Sequence, residues 1–262
     1  DDVRVYNRVL SATDVVNLYN EGGAKMATAP KQSLTSGLVG YWTFDGKDIV
    51  NGAVRDVSGN GNTANLASMS TSTAYTSGKI GQGLQFYEGT GRLNIAGVTT
   101  GTTATYSAWV YPIPSSAGAG YGSIFITQNS TGFYYYKVGG GANRINFYCD
   151  ADHYSTTAMT PNQWNHIAVV NNANSLTFYR NGVADGTASC GSYTGFTANR
   201  IGGDATGNNQ FSGKVDELRV YSRALSASEI SQLYSQGGGK LGTSPVQGLT
   251  NGLVGYWTFD GK

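Results

Sequence analysis

Residues 1–47 and 216–262 align without a gap at an offset of 215, and 29 of the 47 pairs are identical. Asp1-Asp2-Val3-Arg4-Val5-Tyr6 matches Asp216-Glu217-Leu218-Arg219-Val220-Tyr221, and the run GLVGYWTFDGK at 37–47 recurs unchanged at 252–262. Self-similarity at a fixed spacing marks repeated folding units, and it constrains this chain more than any other feature. The 262 residues are expected to hold one full period of a tandem repeat plus 47 residues of the next, a window cut from a longer array.

Helix signals place the boundaries within the period. Segment 226–236, SASEISQLYSQ, opens on Ser226 with Glu229 three residues on, sets Ile230 and Leu233 at helical spacing, and runs into Gly237-Gly238-Gly239. It predicts a short capped helix. Residues 11–21 repeat the pattern with Ser11, Asp14, Leu18 and Gly22. The Gly/Ser/Thr/Pro stretches 22–36 and 237–251 read as linkers. The expected organisation is therefore the strand and helix of a preceding copy at 1–21, a complete domain at 37–236, and the first strand of a following copy at 252–262.

Within 37–236 the pattern is strand after strand. Val39 to Phe44, Thr105 to Val110 and Arg144 to Tyr148 alternate between apolar and polar, and Asn181-Gly182 between two alternating runs is a strong hairpin signal. Composition agrees: 38 Gly and 18 Tyr stand beside only 13% charged residues, which suits short strands joined by tight turns. The expected fold is all-β, a two-sheet jelly-roll sandwich with a short C-terminal helix. A net charge of +1 gives no electrostatic footprint for nucleic acid, and no apolar run is long enough to insert into a membrane.

The motifs GLVGYWTFD, DVSGNGN (56–62), GKIGQGLQF (78–86), YSAWVYP (106–112), QWNHIAVV (163–170), TFYRNGV (177–183), RIGG (200–203) and VDELRVYSRALSASEI (215–230) fall in this order along 37–236. In that order they resemble the bacterial laminin-G-like domain of the concanavalin A-like lectin/glucanase superfamily. The resemblance implies a sandwich of two curved antiparallel sheets, found in secreted or surface proteins and often in series. Its members bind glycans, bind proteins or act as spacers, so the fold alone selects no function.

Catalysis finds no residues to run on. Glycoside hydrolases need paired carboxylates, and the four glutamates, Glu21, Glu88, Glu217 and Glu229, make no Glu-x-Asp-x-Glu pattern. Asp150 and Asp152 have strand-like spacing but lie beyond Cys149, at a strand end. His166 reads as a histidine packed in a sheet, and no zinc or serine-nucleophile signature is present.

Three groups of residues invite a site. Asp56, Ser58 and Asn60 offer oxygen donors at alternate positions around glycines, and Asp216 is a further contributor if its carboxylate points to the core side with Leu218 and Val220. Structural Ca2+ and a self-satisfied Asx turn both remain open there; family members that carry calcium add weight to the first. In Phe133-Tyr134-Tyr135-Tyr136 alternation sends aromatics to both faces. Tyr134, Tyr136 and Tyr154, with Tyr121, Tyr148 and Tyr193 near by, offer either a glycan platform or a contact between repeats. Cys149 and Cys190 are either buried thiols or a bridge worth roughly 3–4 kcal/mol.

The leading expectation is a non-catalytic structural or adhesive repeat of a large extracellular surface protein, stalk or filament, with neighbouring repeats as partners. The alternative is a carbohydrate-binding module that gains avidity by repetition.

Overall fold

A computed structural model of the chain describes residues 3–7, 9–10, 33–69, 74–87, 91–114, 120–127, 131–137, 143–204, 209–238 and 253–257. Leu34–Leu241 form one compact unit; Asp1–Ser33 and Gly242–Lys262 form a second. The helix expected over 11–21 lies outside the described residues, as does most of both linkers and the tail of 252–262.

The strands in chain order begin with β1 (Val3–Tyr6), β2 (Leu38–Trp42), β3 (Ile49–Val50), β4 (Ala53–Val54), β5 (Ala64–Ala67), β6 (Tyr75–Ser77) and β7 (Gln82–Phe86). They continue with β8 (Arg92–Thr100), β9 (Ala104–Pro112), β10 (Gly120–Ile126), β11 (Gly132–Lys137), β12 (Arg144–Tyr148) and β13 (Asp152–Tyr154). The last are β14 (Asn165–Asn172), β15 (Ser175–Arg180), β16 (Val183–Ser189), β17 (Phe196–Ile201), β18 (Gly213–Tyr221) and β19 (Leu253–Trp257), with helix α1 (Ala227–Gln236) between β18 and β19.

In the larger unit these strands make two antiparallel sheets, as the alternating pattern predicts. One has nine strands in the order β13-β12-β11-β10-β17-β8-β5-β4-β3. The other runs β16-β15-β14-β9-β18-β7-β6, with β2 also paired to β18. Between the sheets lies one apolar core. Tyr106 sits at its centre, with ring centroids 5.3 Å from Phe147, 5.6 Å from Phe196 and 6.1 Å from Phe125. Its phenol is satisfied 2.6 Å from Thr100 Oγ1, as a buried tyrosine requires.

α1 roofs the middle of the outer face of the eight-stranded sheet, so its central strands are buried on both sides. Ile167 and Val169 of β14 enter the main core, while Ala168 and Val170 meet Ile230 and Leu233 of the helix with Tyr179, Tyr221 and Leu225. The helix starts where its sequence signals say. Ser226 Oγ accepts the Glu229 amide proton, and Glu229 Oε2 accepts from the Ser226 amide at 2.8 Å. Burying Ile230 and Leu233 stabilises by about 1.5–3 kcal/mol each. Asn181 and Gly182 take φ of 51° and 80° between β15 and β16, the left-handed pair a two-residue hairpin demands.

Two local expectations fail. β2 ends at Trp42 rather than running on to Phe44, which takes φ of 58° and still buries its ring. Asp216 does not share a face with Leu218 and Val220. Between Asp216 and Arg219 the β18 register slips by one against β9, with Glu217 at φ 55°, and a bulge of this kind reverses the alternation. Asp216 stands opposite Trp109, on the roofed outer face.

In the smaller unit β1 pairs antiparallel with β19, Val3 opposite Trp257 and Arg4 opposite Tyr256, with a slip after Val5. This is the β18–β2 pairing of the larger unit displaced by 215 residues: Leu218 faces Trp42, Arg219 faces Tyr41, and the slip follows Val220.

Candidate functional site

At the β13 end of the nine-stranded sheet, alternation sends Phe133, Tyr135, Ile145 and Phe147 into the core. The residues between them face away from it. Backbone register aligns Ser123, Tyr134, Asn146 and Tyr154 in one row across four strands, with Tyr148 and Asp152 in a neighbouring row. Side chains directly opposite in a sheet share a face.

On that face Tyr121 leans across Tyr134, ring centroids 5.5 Å apart and edge-on at 63°. Its hydroxyl donates to Asp152 Oδ2 at 2.5 Å. Asn146 Nδ2 donates to Asp152 Oδ1 at 3.1 Å and to the His153 carbonyl at 3.3 Å, while Asn146 Oδ1 is buried without a hydrogen-bond partner. Tyr121, Tyr134, Tyr148 and Asn209 line a cleft of about 230 Å³. Tyr148 is the open wall, 36% exposed. Asn209 closes the other side: its carbonyl accepts from Ser123 Oγ at 2.7 Å, and its side chain donates to Asp204 at 2.8 Å. Aromatic faces beside fixed amide and carboxylate groups suit a polyhydroxylated ligand with apolar C–H faces. No cationic side chain belongs to the described lining.

Of the tyrosines singled out in the sequence, Tyr134 and Tyr148 line the cleft with Tyr121. Tyr154 stands opposite Asn146 but outside the described lining. Tyr136 pairs with Tyr121 and Arg144 through its backbone, and its side chain lies outside the described part. Tyr193 belongs to the core instead, its ring 6.0 Å from Phe147. Asn209 has no sequence signal; it arrives from a loop that follows β17.

Beside this cleft a disulfide joins Cys149, just after β12, to Cys190, just after β16, with Cα atoms 6.0 Å apart. Asp150 Oδ1 lies 2.9 Å from His153 Nε2, and Asp150 Oδ2 accepts the Gly191 amide proton. The hydrogen bond from His153, then that from Gly191, pulls the Asp150 carboxyl down to about 2.

The calcium set does not converge. Asp56 Oδ1 accepts the amide protons of Tyr41 and Ser58 at 2.9 Å each, and Oδ2 that of Asn62 at 3.0 Å. Asn60 and Asn62 donate their side-chain amides to the Leu38 and Val39 carbonyls of β2. Ser58 Oγ accepts from Asn60. These contacts are those of the self-satisfied turn, which here lashes the loop to β2. Asp216 is engaged elsewhere, accepting the amide protons of Lys79 at 2.7 Å and Ile80 at 2.9 Å. Burial raises its carboxyl to about 7. The donors present therefore do not fit a shared calcium cage.

The roofed face holds a second polar group. His166, fully buried, lies 2.9 Å from Ser107 Oγ, with its ring 5.3 Å from that of Trp109. Burial, then the charge of Arg219, depresses the imidazole to about 3, so it is neutral. Tyr41, Glu217 and Arg219 form a closed network, with Tyr41 Oη 2.7 Å from Glu217 Oε2 and 2.8 Å from Arg219 Nη2. The Ser107–His166 pair has no carboxylate partner on Nδ1 and lies against Tyr234 of α1.

Comparison with solved structures places the fold among known sandwiches. Domain 4 of AbnA, a GH43 extracellular arabinanase from Geobacillus stearothermophilus solved with arabinotriose, superposes with a TM-score of 0.58 at 20% identity, covering 75% of this chain and 98% of that one. The binding domain of Paraclostridial Mosquitocidal Protein 1 gives 0.58 at 18%, covering 78% of this chain and 53% of that one. A mutant sialidase of Trypanosoma rangeli gives 0.57 at 18%, covering 87% and 39%. Comparison with curated proteins returns no match. A family model described as the concanavalin A-like lectin/glucanases superfamily matches residues 86–231, which run from the end of β7 into α1. More than half of the chain thus carries the family pattern, and the chain belongs to the concanavalin A-like lectin/glucanases superfamily.

Proposed function

We propose that the larger unit is a non-catalytic carbohydrate-binding module of a secreted protein, and that its ligand sits in the cleft of Tyr121, Tyr134, Tyr148 and Asn209. The observation that carries this is the cleft itself: Tyr121, the buried Tyr134 and the exposed Tyr148 line it beside the Asn146–Asp152 pair. The sugar's C–H face lies against Tyr148, and the buried, unpartnered Asn146 Oδ1 belongs to the residue opposite Tyr134 in the sheet. With no cation in the described lining, the ligand class is neutral rather than uronic or sialic. The arabinotriose complex of the AbnA domain supports an arabino-oligosaccharide as the first ligand to try. A disulfide agrees with an oxidising compartment.

Calorimetric titration of a panel of neutral oligosaccharides, arabinotriose included, tests the reading. Binding below millimolar Kd, weakened at least tenfold by Tyr148→Ala, is expected. A silent panel, or a hit indifferent to Tyr148→Ala, overturns it.

A second reading rests on the repeat. The 215-residue period and the matching β1–β19 and β2–β18 registers support serial copies of this unit in an extracellular stalk or filament. In that setting the cleft is presented many times, and avidity multiplies a weak site.

A further inference from the structure

The disulfide stands in more company than a bridge requires. Cys149, Asp150, His153 and Cys190 each direct one ligand atom to the same corner, all within 4.8 Å of one another. Cys149 Sγ lies 3.3 Å from Asp150 Oδ1, a contact and not a hydrogen bond since a bridged sulfur carries no proton. Cys149 and Asp150 come from the β12–β13 turn, His153 from β13 and Cys190 from the loop after β16. Two soft sulfurs, one imidazole and one carboxylate are a donor set for a tetrahedral divalent ion.

We propose that reduction of the Cys149–Cys190 bridge turns this corner into a Zn2+ site with Cys149, Cys190, His153 and Asp150 as its four ligands. Oxidised, the two sulfurs are bonded to each other and lack the thiolate charge a metal needs. A phosphine reductant takes the oxygen of one water and leaves as phosphine oxide, and the two hydrogens of that water end on the two sulfurs. Zn2+ then displaces both thiol protons to solvent. Zinc–sulfur bonds near 2.3 Å and zinc–nitrogen bonds near 2.0 Å set ligand atoms about 3.3–3.8 Å apart in a tetrahedron. The four atoms lie within 4.8 Å of one another, and the freed sulfurs separate while the others close in to reach that spacing. Asp150 and His153, now hydrogen-bonded to each other, exchange that contact for the metal.

The position gives the site a consequence. Tyr148, the open wall of the cleft, precedes Cys149, and Asp152, which holds Tyr121, precedes His153. Bridge and metal tie the same two segments, so the cleft keeps its wall in either redox state. The inference stands on the cluster alone and survives if the cleft binds no sugar.

The test is a ZnCl2 titration of the phosphine-reduced chain against a chromogenic chelator, with the oxidised chain as control and Co2+ as a spectroscopic stand-in. One equivalent is expected to bind the reduced chain at least tenfold more tightly than the oxidised one. Co2+ should give thiolate charge-transfer and tetrahedral d–d bands. His153→Ala and Asp150→Ala, neither needed for the bridge, should each weaken binding at least tenfold. Equal affinity in both redox states, or a His153→Ala chain that binds as the parent does, overturns the proposal. Should the reduced chain lose its circular-dichroism signature, Zn2+ is expected to restore it, and failure to do so overturns the proposal as well.

Discussion

The outer faces of the two sheets carry similar chemistry and end differently. On the eight-stranded sheet, Trp109 and His166 lie under Tyr234 of α1 and Asp216 under the Lys79–Ile80 turn, and all three are almost wholly buried. On the nine-stranded sheet, Tyr134 and Asn146 are buried too, but Tyr148 stands 36% exposed and a cleft remains beside Tyr121 and Tyr134. Aromatic and polar side chains on a sheet therefore do not by themselves make a binding surface; what covers them decides. The roofed group pairs Ser107 with His166 and Asp216 with the Lys79 and Ile80 amides. Yet it too leaves Trp109 Nε1, His166 Nδ1 and Asp216 Oδ1 unpartnered, with no opening beside them among the described residues. The open one leaves an acceptor unused and a tyrosine face in water.

The contrast can be broken from the roofed side first. Ile230→Ala removes the anchor of α1 and should cost about 2–4 kcal/mol in denaturant unfolding while leaving saccharide binding unchanged. A loss of binding to match would tie the two faces together. Next in size is Asp216→Asn. The folded-state pKa of Asp216, about 7, is above the ordinary 3.8, so the folded protein holds a proton that the unfolded chain has released. Stability therefore falls as pH rises from about 4 to 7. The amide keeps an acceptor for Lys79 and Ile80 and carries no charge, so Asp216→Asn should gain roughly 2 kcal/mol over the parent at pH 8 and little at pH 4. An equal effect at both pH values would show that ionisation is not the cause.

His166 works in the opposite direction. Its folded pKa, about 3, is below the ordinary 6.5, so the unfolded chain takes up the proton first and stability drains as pH falls from 6.5 towards 3. His166→Gln should flatten that acid limb by about 1 kcal/mol between pH 6.5 and 5, read from urea midpoints. The smallest effect belongs to the open face. Tyr148→Ala should change stability by less than about 0.5 kcal/mol, since the side chain borders solvent, even as it removes binding. A large stability loss would move Tyr148 from the ligand to the scaffold.

How much of this is legible in the sequence follows from the range of the forces involved. The capped helix and the Asn181-Gly182 hairpin are local: Ser226 and Glu229 are three residues apart, and the turn is set by two adjacent left-handed φ values. Sheet alternation sorts Phe133 from Tyr134 correctly for the same reason. The bulge at Glu217 has no such signature, because a glutamate holds the positive φ, and the alternation past it sends Asp216 to the wrong face. The cleft depends on which strands become neighbours. Tyr121 meets Tyr134 only because β10 lies beside β11, and Asn209 comes from a loop 61 residues beyond Tyr148. Tyr193 looks like surface in a polar stretch, yet the Cys190 bridge and the Phe196 strand draw it into the core.

The place of β2 has a mechanical meaning. It is the first strand of the larger unit, and its antiparallel partner β18 is the last, with Leu38 opposite Tyr221. β2 begins and β18 ends at the same tip of one strand pair, and α1 then carries the chain back to Gly237 beside Trp109. A pull on Leu34 and Gly238 therefore meets α1 first and then loads the pair at its tip. Once α1 has peeled away, the ladder opens one rung at a time, instead of all rungs resisting together as in shear. Arg223 is the first latch, donating to the Ser36 carbonyl at 2.8 Å and gripping Glu229 of the helix. A unit built this way is expected to yield at low force and to lengthen by the whole contour between β2 and β18.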